Sequence, residues 1–295
     1  MQIEYKKSNI STIRLRYGRY KGKPQVKYEI IIEMKLVNLN ISLRIDNALQ
    51  VAKYIYEGDA DIVCLQEVSR HLSSSVKKKY QSKADLDKAL GKKYPYSFFG
   101  PLWVSDGIRV KGKKVADFGG FIEQGSYILS KFPFACGMHE FYYRGFSLTQ
   151  DDTDWQQEDH GRALQKVVIK YGEKRFQVGN VHGIWTSDKK GDERTISQCK
   201  FIVDSFRKLK LPTILAGDFN LLPQSESIKI IDKTYENLID RYQIRSTRPD
   251  FEDGVDKGGN IVDYIFVNSR INVKGLEVPP LSLSDHFPLI LEFDV

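Results

Sequence analysis

Short apolar runs that end in polar residues recur along this chain, and their spacing sets out most of its elements. Lys35 to Ile41 alternates as a strand, with Asn38 and Asn40 on one face. Ile45, Ala48, Leu49, Ala52, Ile55 and Tyr56 then recur at helical spacing, and Gly58 supplies the stop. Asp61 to Gln66 is a buried strand ending in Glu67, so a strand–helix–strand unit delivers Asn40 and Glu67 to neighbouring strand ends. Two asparagines in a core strand are costly to bury unless partners satisfy them.

Ser69 to Lys93 is polar and lysine-rich, with a helix predicted only between Ala84 and Leu90. Tyr96 to Trp103 and Gly125 to Phe132 read as strands, and Gly107 to Gly112 with Lys111, Lys113 and Lys114 as a basic hairpin tip between them. Arg144 to Gly161 is polar and acidic, a length of loop that suits a functional lid. Strands follow at Arg162 to Ile169 and at Phe176 to His182, the second with Asn180 and His182 on one face. An amphipathic helix from Thr195 to Leu209 leads into the apolar run Ile214-Leu215-Ala216, which ends in Gly217-Asp218-Phe219-Asn220. The glycine lets the backbone turn there and sets Asp218 and Asn220 at the strand's carboxyl end. Ser225 or Ser227 caps a short helix, and the last strands are Ile261 to Val267, near Asp263, and Pro288 to Phe293, just after Ser284-Asp285-His286. Taken alone, this alternation of strands and helices predicts a parallel sheet. No repeat is present, and no linker divides residues 34–295.

Composition changes this picture in three places. The formal charge of +7 suggests a nucleic-acid partner until it is located: residues 1–33 hold eight Lys and Arg against three Glu, which leaves +2 on the rest. That segment is basic and tyrosine-rich, with alternating runs Thr12 to Tyr17 and Gln25 to Ile32, and fits a β-hairpin or a partly disordered extension ahead of the domain at 34–295. Cys64, Cys136 and Cys199 form no Cys-x-x-Cys pair, which argues against a disulfide framework and a zinc site; Cys64 and Cys199 are expected in the core. No apolar run nears the roughly 18 residues of a membrane span and the first residues lack the centre of a signal peptide, so a cytoplasmic chain without membrane association is the expectation.

Eight polar residues thus stand at the ends of apolar strands: Asn40, Glu67, His182, Asp218, Asn220, Asp263, Asp285 and His286. Their contexts are KLVNLNI, IVCLQEV, GNVHGIW, ILAGDFNLLP, IVDYIFVN and LSDHFPLIL. In that order and at those spacings they resemble the signature of the endonuclease/exonuclease/phosphatase superfamily, over residues 34–295. The resemblance implies an α/β fold, a four-layer α/β/β/α sandwich of two mostly antiparallel sheets flanked by helices. It also implies phosphoester hydrolysis by in-line attack of water with Mg²⁺ or Mn²⁺.

Carried onto this chain, the resemblance makes Asn40, Glu67 and Asp285 the metal ligands, and hard oxygen donors suit such ions. Asp218 would orient or deprotonate the water, Asn220 would donate to the transition-state oxyanion, and His286, oriented by Asp263, would contact the phosphate. His182 would be a second imidazole on the phosphate, as in the deoxyribonuclease and sphingomyelinase branches, and Arg162 in HGRALQKV matches a phosphate-binding arginine. His71, His139 and His160 fall outside the motifs and are expected at the surface. A monomeric nuclease with nucleic acid as substrate is the expectation, against a phosphoinositide phosphatase, a sphingomyelinase-like lipid phosphodiesterase, or a non-catalytic nucleic-acid-binding protein.

Overall fold

The computed structural model describes residues 10–20, 23–110, 113–148, 160–249, 251–252, 255–256 and 260–295. In chain order the elements are β1 (Ile10–Tyr20), β2 (Lys23–Ile32), β3 (Met34–Asn40), α1 (Ala48–Gly58), β4 (Ile62–His71), α2 (Ser82–Leu90), β5 (Tyr96–Val110) and β6 (Lys113–Ser130). There follow β7 (Phe134–Tyr143), β8 (Ser147–Leu148), β9 (Arg162–Tyr171), β10 (Lys174–His182), α3 (Glu193–Arg207), β11 (Thr213–Asp218) and α4 (Glu226–Asp232). The chain ends with β12 (Glu236–Asn237), α5 (Leu238–Arg241), β13 (Phe251–Glu252), β14 (Val255–Asp256), β15 (Asp263–Val267), β16 (Asn272–Glu277) and β17 (Leu289–Asp294).

Two sheets carry the fold, one in the order β16-β17-β3-β4-β6-β5-β8 and one in the order β12-β15-β11-β10-β9-β7. Most neighbours are antiparallel, so the α/β sandwich is found and the fully parallel sheet is not. Parallel pairing survives in β3–β4, β10–β11 and the short β5–β8 contact. The first two pairs are joined through α1 and α3, because strands running the same way need a crossover long enough to hold a helix. Each sheet therefore has one strand–helix–strand unit at its centre, with antiparallel strands on both sides.

Alternation assigns the faces. Val37, Leu39, Val63 and Leu65 pack with Val51, Ala52 and Ile55 of α1 and Leu86 and Leu90 of α2. Leu36, Ile62 and Cys64, one residue out of phase, join the main core with Phe176, Ile214 and Ala216. Cys199, Ile202 and Phe206 of α3 close that core, and Cys64 and Cys199 are fully buried as expected. Burial of each large apolar side chain contributes about 1.5–3 kcal/mol.

Between the sheets lies a polar layer. Gln66 Nε2 donates to Asn38 Oδ1 at 2.9 Å and, across the sandwich, to Asn180 Oδ1 at 2.6 Å. Asn180 Nδ2 returns to Leu65 O at 3.0 Å and meets Gln165 Oε1 at 3.1 Å, while Gln165 Nε2 donates to Phe98 O at 2.8 Å. These contacts satisfy Asn180 and the oxygen of Asn38, while Asn38 Nδ2 and Gln66 Oε1 are left without a hydrogen-bond partner among the described residues.

Several boundaries differ from expectation for local reasons. The first helix begins at Ala48, three residues late, and leaves Ile45 40% exposed; it stops at Asp59, whose φ of 52° is left-handed. The third begins at Glu193 because Asp192 caps it, accepting from Arg194 N and Thr195 N while Thr195 Oγ1 accepts from Asp192 N. Strands β7 and β16 were not anticipated, since glycine and polar residues interrupt their alternation. The β5–β6 hairpin is far longer than its two expected strands, with register shifts along its length. Residues 10–20 and 23–32 form a hairpin, the first of the two expectations, and pair only with each other among the described strands. Lys111 and Gly112 of the basic tip and residues 149–159 of the expected lid lie outside the described residues. Among the described residues no helix is long and apolar enough to cross a membrane.

The close approach of β11 to β10 depends on Gly217, which has a φ of 152°; a Cβ there would sit 2.1 Å from Val181 O. Gly217→Ala is expected to destabilise the fold by about 2–4 kcal/mol, read as a lower urea midpoint at unchanged m.

Candidate active site

Strand register performs the first step of assembly. In parallel β10–β11, His182 stands beside Asp218, and in antiparallel β11–β15, Asp218 stands beside Asp263. Three functional side chains are thus in a row across three strand ends. From the other sheet, β3 ends at Asn40, and Asn40 Nδ2 donates to Asp218 Oδ2 at 3.1 Å and to Glu67 Oε1 at 3.2 Å. One carboxamide therefore links carboxylates that belong to different sheets.

Glu67 reaches this point through an irregularity in β4. The ladder with β6 shifts register between Leu65 and Val68, and Glu67 adopts a φ of 60°. Its Oε2 accepts from Leu43 N at 2.8 Å, and its Oε1 lies 3.8 Å from His182 Nε2. Asn220 is also left-handed, with φ 56°, and its N–H donates to Asp218 Oδ1 at 2.8 Å. Such backbone strain in non-glycine residues persists only where the surroundings enforce it, and it concentrates at functional sites.

His286 enters from the loop before β17, where Phe287 N donates to Thr247 O at 2.7 Å. Thr247 Oγ1 in turn accepts from Asp263 N at 3.2 Å, so one short segment ties both partners of the next contact. His286 Nδ1 lies 2.8 Å from Asp263 Oδ2, and its Nε2 faces Asp218 Oδ2 at 3.7 Å. Burial disfavours its charge, but Asp263 and Asp218 outweigh that and hold its pKa up at about 9. His182 goes the other way, to about 4, because burial and the Arg162 guanidinium penalise its protonated form. Asp218 is buried, which favours the protonated acid, yet His286, His182 and Lys189 keep its pKa below the usual carboxylate value. The site thus presents one cationic imidazole, one neutral imidazole and an ionised carboxylate around a single point.

A model of the Endonuclease/Exonuclease/phosphatase family matches residues 37–286, a span that includes every one of these residues. The chain belongs to that family. Solved structures share the endonuclease/exonuclease/phosphatase fold at low identity. An endonuclease/exonuclease/phosphatase from Beutenbergia cavernae aligns with TM-score 0.67 and 16% identity, covering 89% of this chain and 72% of that one. The human nocturnin catalytic domain aligns with TM-score 0.64 and 16% identity over 89% and 94%. A mannosyl-6-phosphatase from Bacteroides thetaiotaomicron aligns with TM-score 0.58 and 16% identity over 88% and 99%. The sequence matches no curated protein.

Within this family member the expected residues are placed unequally. Asn40, Glu67, His182, Asp218, Asn220, Asp263 and His286 come together as described. Arg162 is buried, and its charge acts on Glu67, Asp218 and Tyr142. It lines a cleft with Glu67, His182, His160, Trp103 and Gln124. Asp285 is paired with Arg248: its Oδ2 accepts from Arg248 at 2.9 Å and its backbone oxygen from Arg248 Nε at 3.1 Å. His160 is not a surface residue but is 3% exposed, its ring 5.0 Å from that of Trp103. His139 and His71 are half-buried as well, and His139 Nε2 lies 2.9 Å from Pro101 O.

The donor set can be tested against a divalent cation. Asp218, Asp263 and His286 offer three ligand atoms within 4.8 Å of one another, but His286 Nδ1 is committed to Asp263 and its imidazole is cationic, which opposes a second positive charge. Glu67 fits better, with a carboxylate 26% exposed in the cleft and its Oε1 facing the Asn40 amide and the neutral His182 imidazole. The oxygen of Asn40 already accepts from Ser42 N at 3.0 Å.

Sequence patterns missed four participants. Tyr142 donates to His182 O at 3.1 Å from the unanticipated β7, and Arg248 sits in a polar segment with no motif. Lys189 Nζ donates to Asn220 Oδ1 at 2.9 Å, although nothing in the run SDKKGDE separates it from Lys190. His160 had one signal, its place two residues before Arg162.

Two outcomes follow from these charges. Burial beside Trp103 and the Arg162 charge depress His160 to about 3, below its unfolded value near 6.5, so the stability it confers is complete above that value and lost as pH falls. Between pH 7 and pH 5 the loss is on the order of 2 kcal/mol, and His160→Phe is expected to shrink it in urea titrations at both pH values. Asp263→Asn removes the carboxylate that lifts His286, so the His286 ring resonances should titrate well below their wild-type midpoint of about 9.

Proposed function

We propose that this protein is a divalent-metal-dependent phosphodiesterase that cleaves nucleic acid by in-line attack of water. The observation that supports it is the convergence of Asp218, His286 and His182 on one point, with His286 Nε2 and His182 Nε2 at 3.7 and 4.0 Å from Asp218 Oδ2. Members of this family are in general hydrolases of phosphoester bonds that use divalent metals.

Asp218 is ionised, its Oδ1 held by Asn220 N–H and its Oδ2 by Asn40 Nδ2 at 3.1 Å; the remaining lone pair of Oδ2 would orient a water and accept its proton. As the water oxygen bonds to phosphorus, the ester bond opposite it breaks. His286, protonated and braced by Asp263, stabilises the charge gathered on the phosphoryl oxygens in a dry, preorganised setting. Asn220 adds its side-chain NH₂ to the same oxygens, and neutral His182, on the strand beside Asp218, adds a second imidazole. A divalent cation held by Glu67 beside Asn40 would screen the same charge and favour departure of the leaving oxygen.

Nucleic acid as substrate rests on the cations around this point. The charges of Arg162, Lys189 and Arg248 all act on Asp218, and they come from three separate parts of the chain. A substrate with phosphates on both sides of the scissile one uses such an arrangement, whereas a single terminal phosphate needs less.

The test compares plasmid DNA, single-stranded RNA, a phosphorylated inositol and sphingomyelin with Mg²⁺ or Mn²⁺, with and without EDTA. Cleavage of a nucleic acid is expected, abolished by EDTA and by Glu67→Ala, and reduced at least about 10²-fold by Asp218→Ala or His286→Ala with binding retained. Preferred turnover of the inositol or the lipid would refute the nuclease reading.

A further inference from the structure

Lys189 differs from its neighbour Lys190 in both backbone and side chain. Its backbone is left-handed, with φ 54°, in company with Ser42, Glu67 and Asn220 among the non-glycine residues at the site. The conformation is held from both sides, by Lys189 N to Thr186 O at 3.2 Å and by Leu222 N to Lys189 O at 2.8 Å. Leu222 lies two residues beyond Asn220, so the loop is fastened to the very segment that carries the carboxamide.

The side chain is then drawn inward rather than into water. Its ammonium lies 5.3 Å from the Trp185 ring centre and 2.9 Å from Asn220 Oδ1, while neighbouring Lys190 is exposed. Holding a lysine in one rotamer is costly in entropy, and a solvated loop lysine gains nothing by it. An ammonium has three donors and no acceptor, so only the oxygen of the Asn220 amide can face it. The NH₂ edge must then point away from Lys189, where it reaches Gly183 O at 3.4 Å, a long contact that leaves it free to donate elsewhere.

We propose that Lys189 is a positioning residue of the active site, which fixes the orientation of the Asn220 carboxamide so that its NH₂ edge binds a phosphoryl oxygen. This rests on the phosphoester reading of the site, and no family motif marks it. Burial lowers the ammonium pKa, and Asp218 and Asp263 counter that effect, in keeping with a charge retained for use.

The experiment measures tungstate, a tetrahedral oxyanion, by calorimetry in EDTA on the full chain. Wild type, Lys189→Met, Lys189→Arg, Asn220→Ala and the Lys189→Met/Asn220→Ala double variant are compared, each after a thermal melt to confirm folding. Lys189→Met is expected to weaken binding by about tenfold, Lys189→Arg to restore most of it, and the double variant to bind no worse than Asn220→Ala alone. Wild-type affinity in Lys189→Met, losses that add in the double variant, or a failure of arginine to rescue would overturn the proposal. Hydrolysis of bis(p-nitrophenyl) phosphate with Mn²⁺ by the same set reports separately on the reaction. No wild-type turnover combined with Lys189-dependent tungstate binding would refute the hydrolase and leave the role of Lys189 standing.

Discussion

The hydrogen bond between Gln66 and Asn180, 2.6 Å long and wholly buried, joins the two sheets directly beneath the site. An apolar interface lets sheets slide and rotate with little change in energy, because burial is not directional. A carboxamide layer does not, since each misplaced group leaves a donor or acceptor unpaired at a cost of about 1–3 kcal/mol. Asn38, Gln66, Asn180 and Gln165 therefore fix how the carboxyl end of β3–β4 meets that of β10–β11. Asn40 and Asp218 extend the same layer outward, and their 3.1 Å contact is where scaffold turns into site.

That layer also explains the charge states. Asp218, Asp263, His182 and His286 are all nearly excluded from water, so a charge on any of them is tolerated only through its neighbours. His286 lies between two carboxylates and keeps its proton; His182 shares its surroundings with Arg162 and loses it. Two imidazoles with the same intrinsic chemistry are thus set apart by placement, and placement follows from strand register and the Thr247 tether.

Strain is the counterpart of this rigidity. Glu67, Asn220 and Lys189 all leave the ordinary backbone regions at the points where a ladder or strand must release a side chain into the cleft. The bulge in β4 turns Glu67 out of alternation, and without it that carboxylate would share the face of Val63 and Leu65 and point at the helical layer. The Arg248–Asp285 pair shows the opposite situation, a motif residue whose neighbourhood has given it a different partner.

Local sequence was enough for whatever depends on period and strand ends. It placed β3, β4, β9, β10, β11 and α3, put Asn38 with Asn40 and Asn180 with His182 on shared faces, and singled out the polar residues at those ends. The reason is that alternation and helical spacing are properties of adjacent residues, and an apolar run that ends in Asp or Asn records both burial and its limit. Only the folded chain decided which strands lie side by side, that parallel pairing is limited to the two helix-linked pairs at the centre and the short β5–β8 contact, and that β7 with Tyr142 joins the second sheet. It alone buried His160 against Trp103, turned Asp285 to Arg248, and distinguished Lys189 from Lys190. These are contacts between residues far apart in the chain, and neither composition nor periodicity carries information about a partner that only the packing of two sheets supplies.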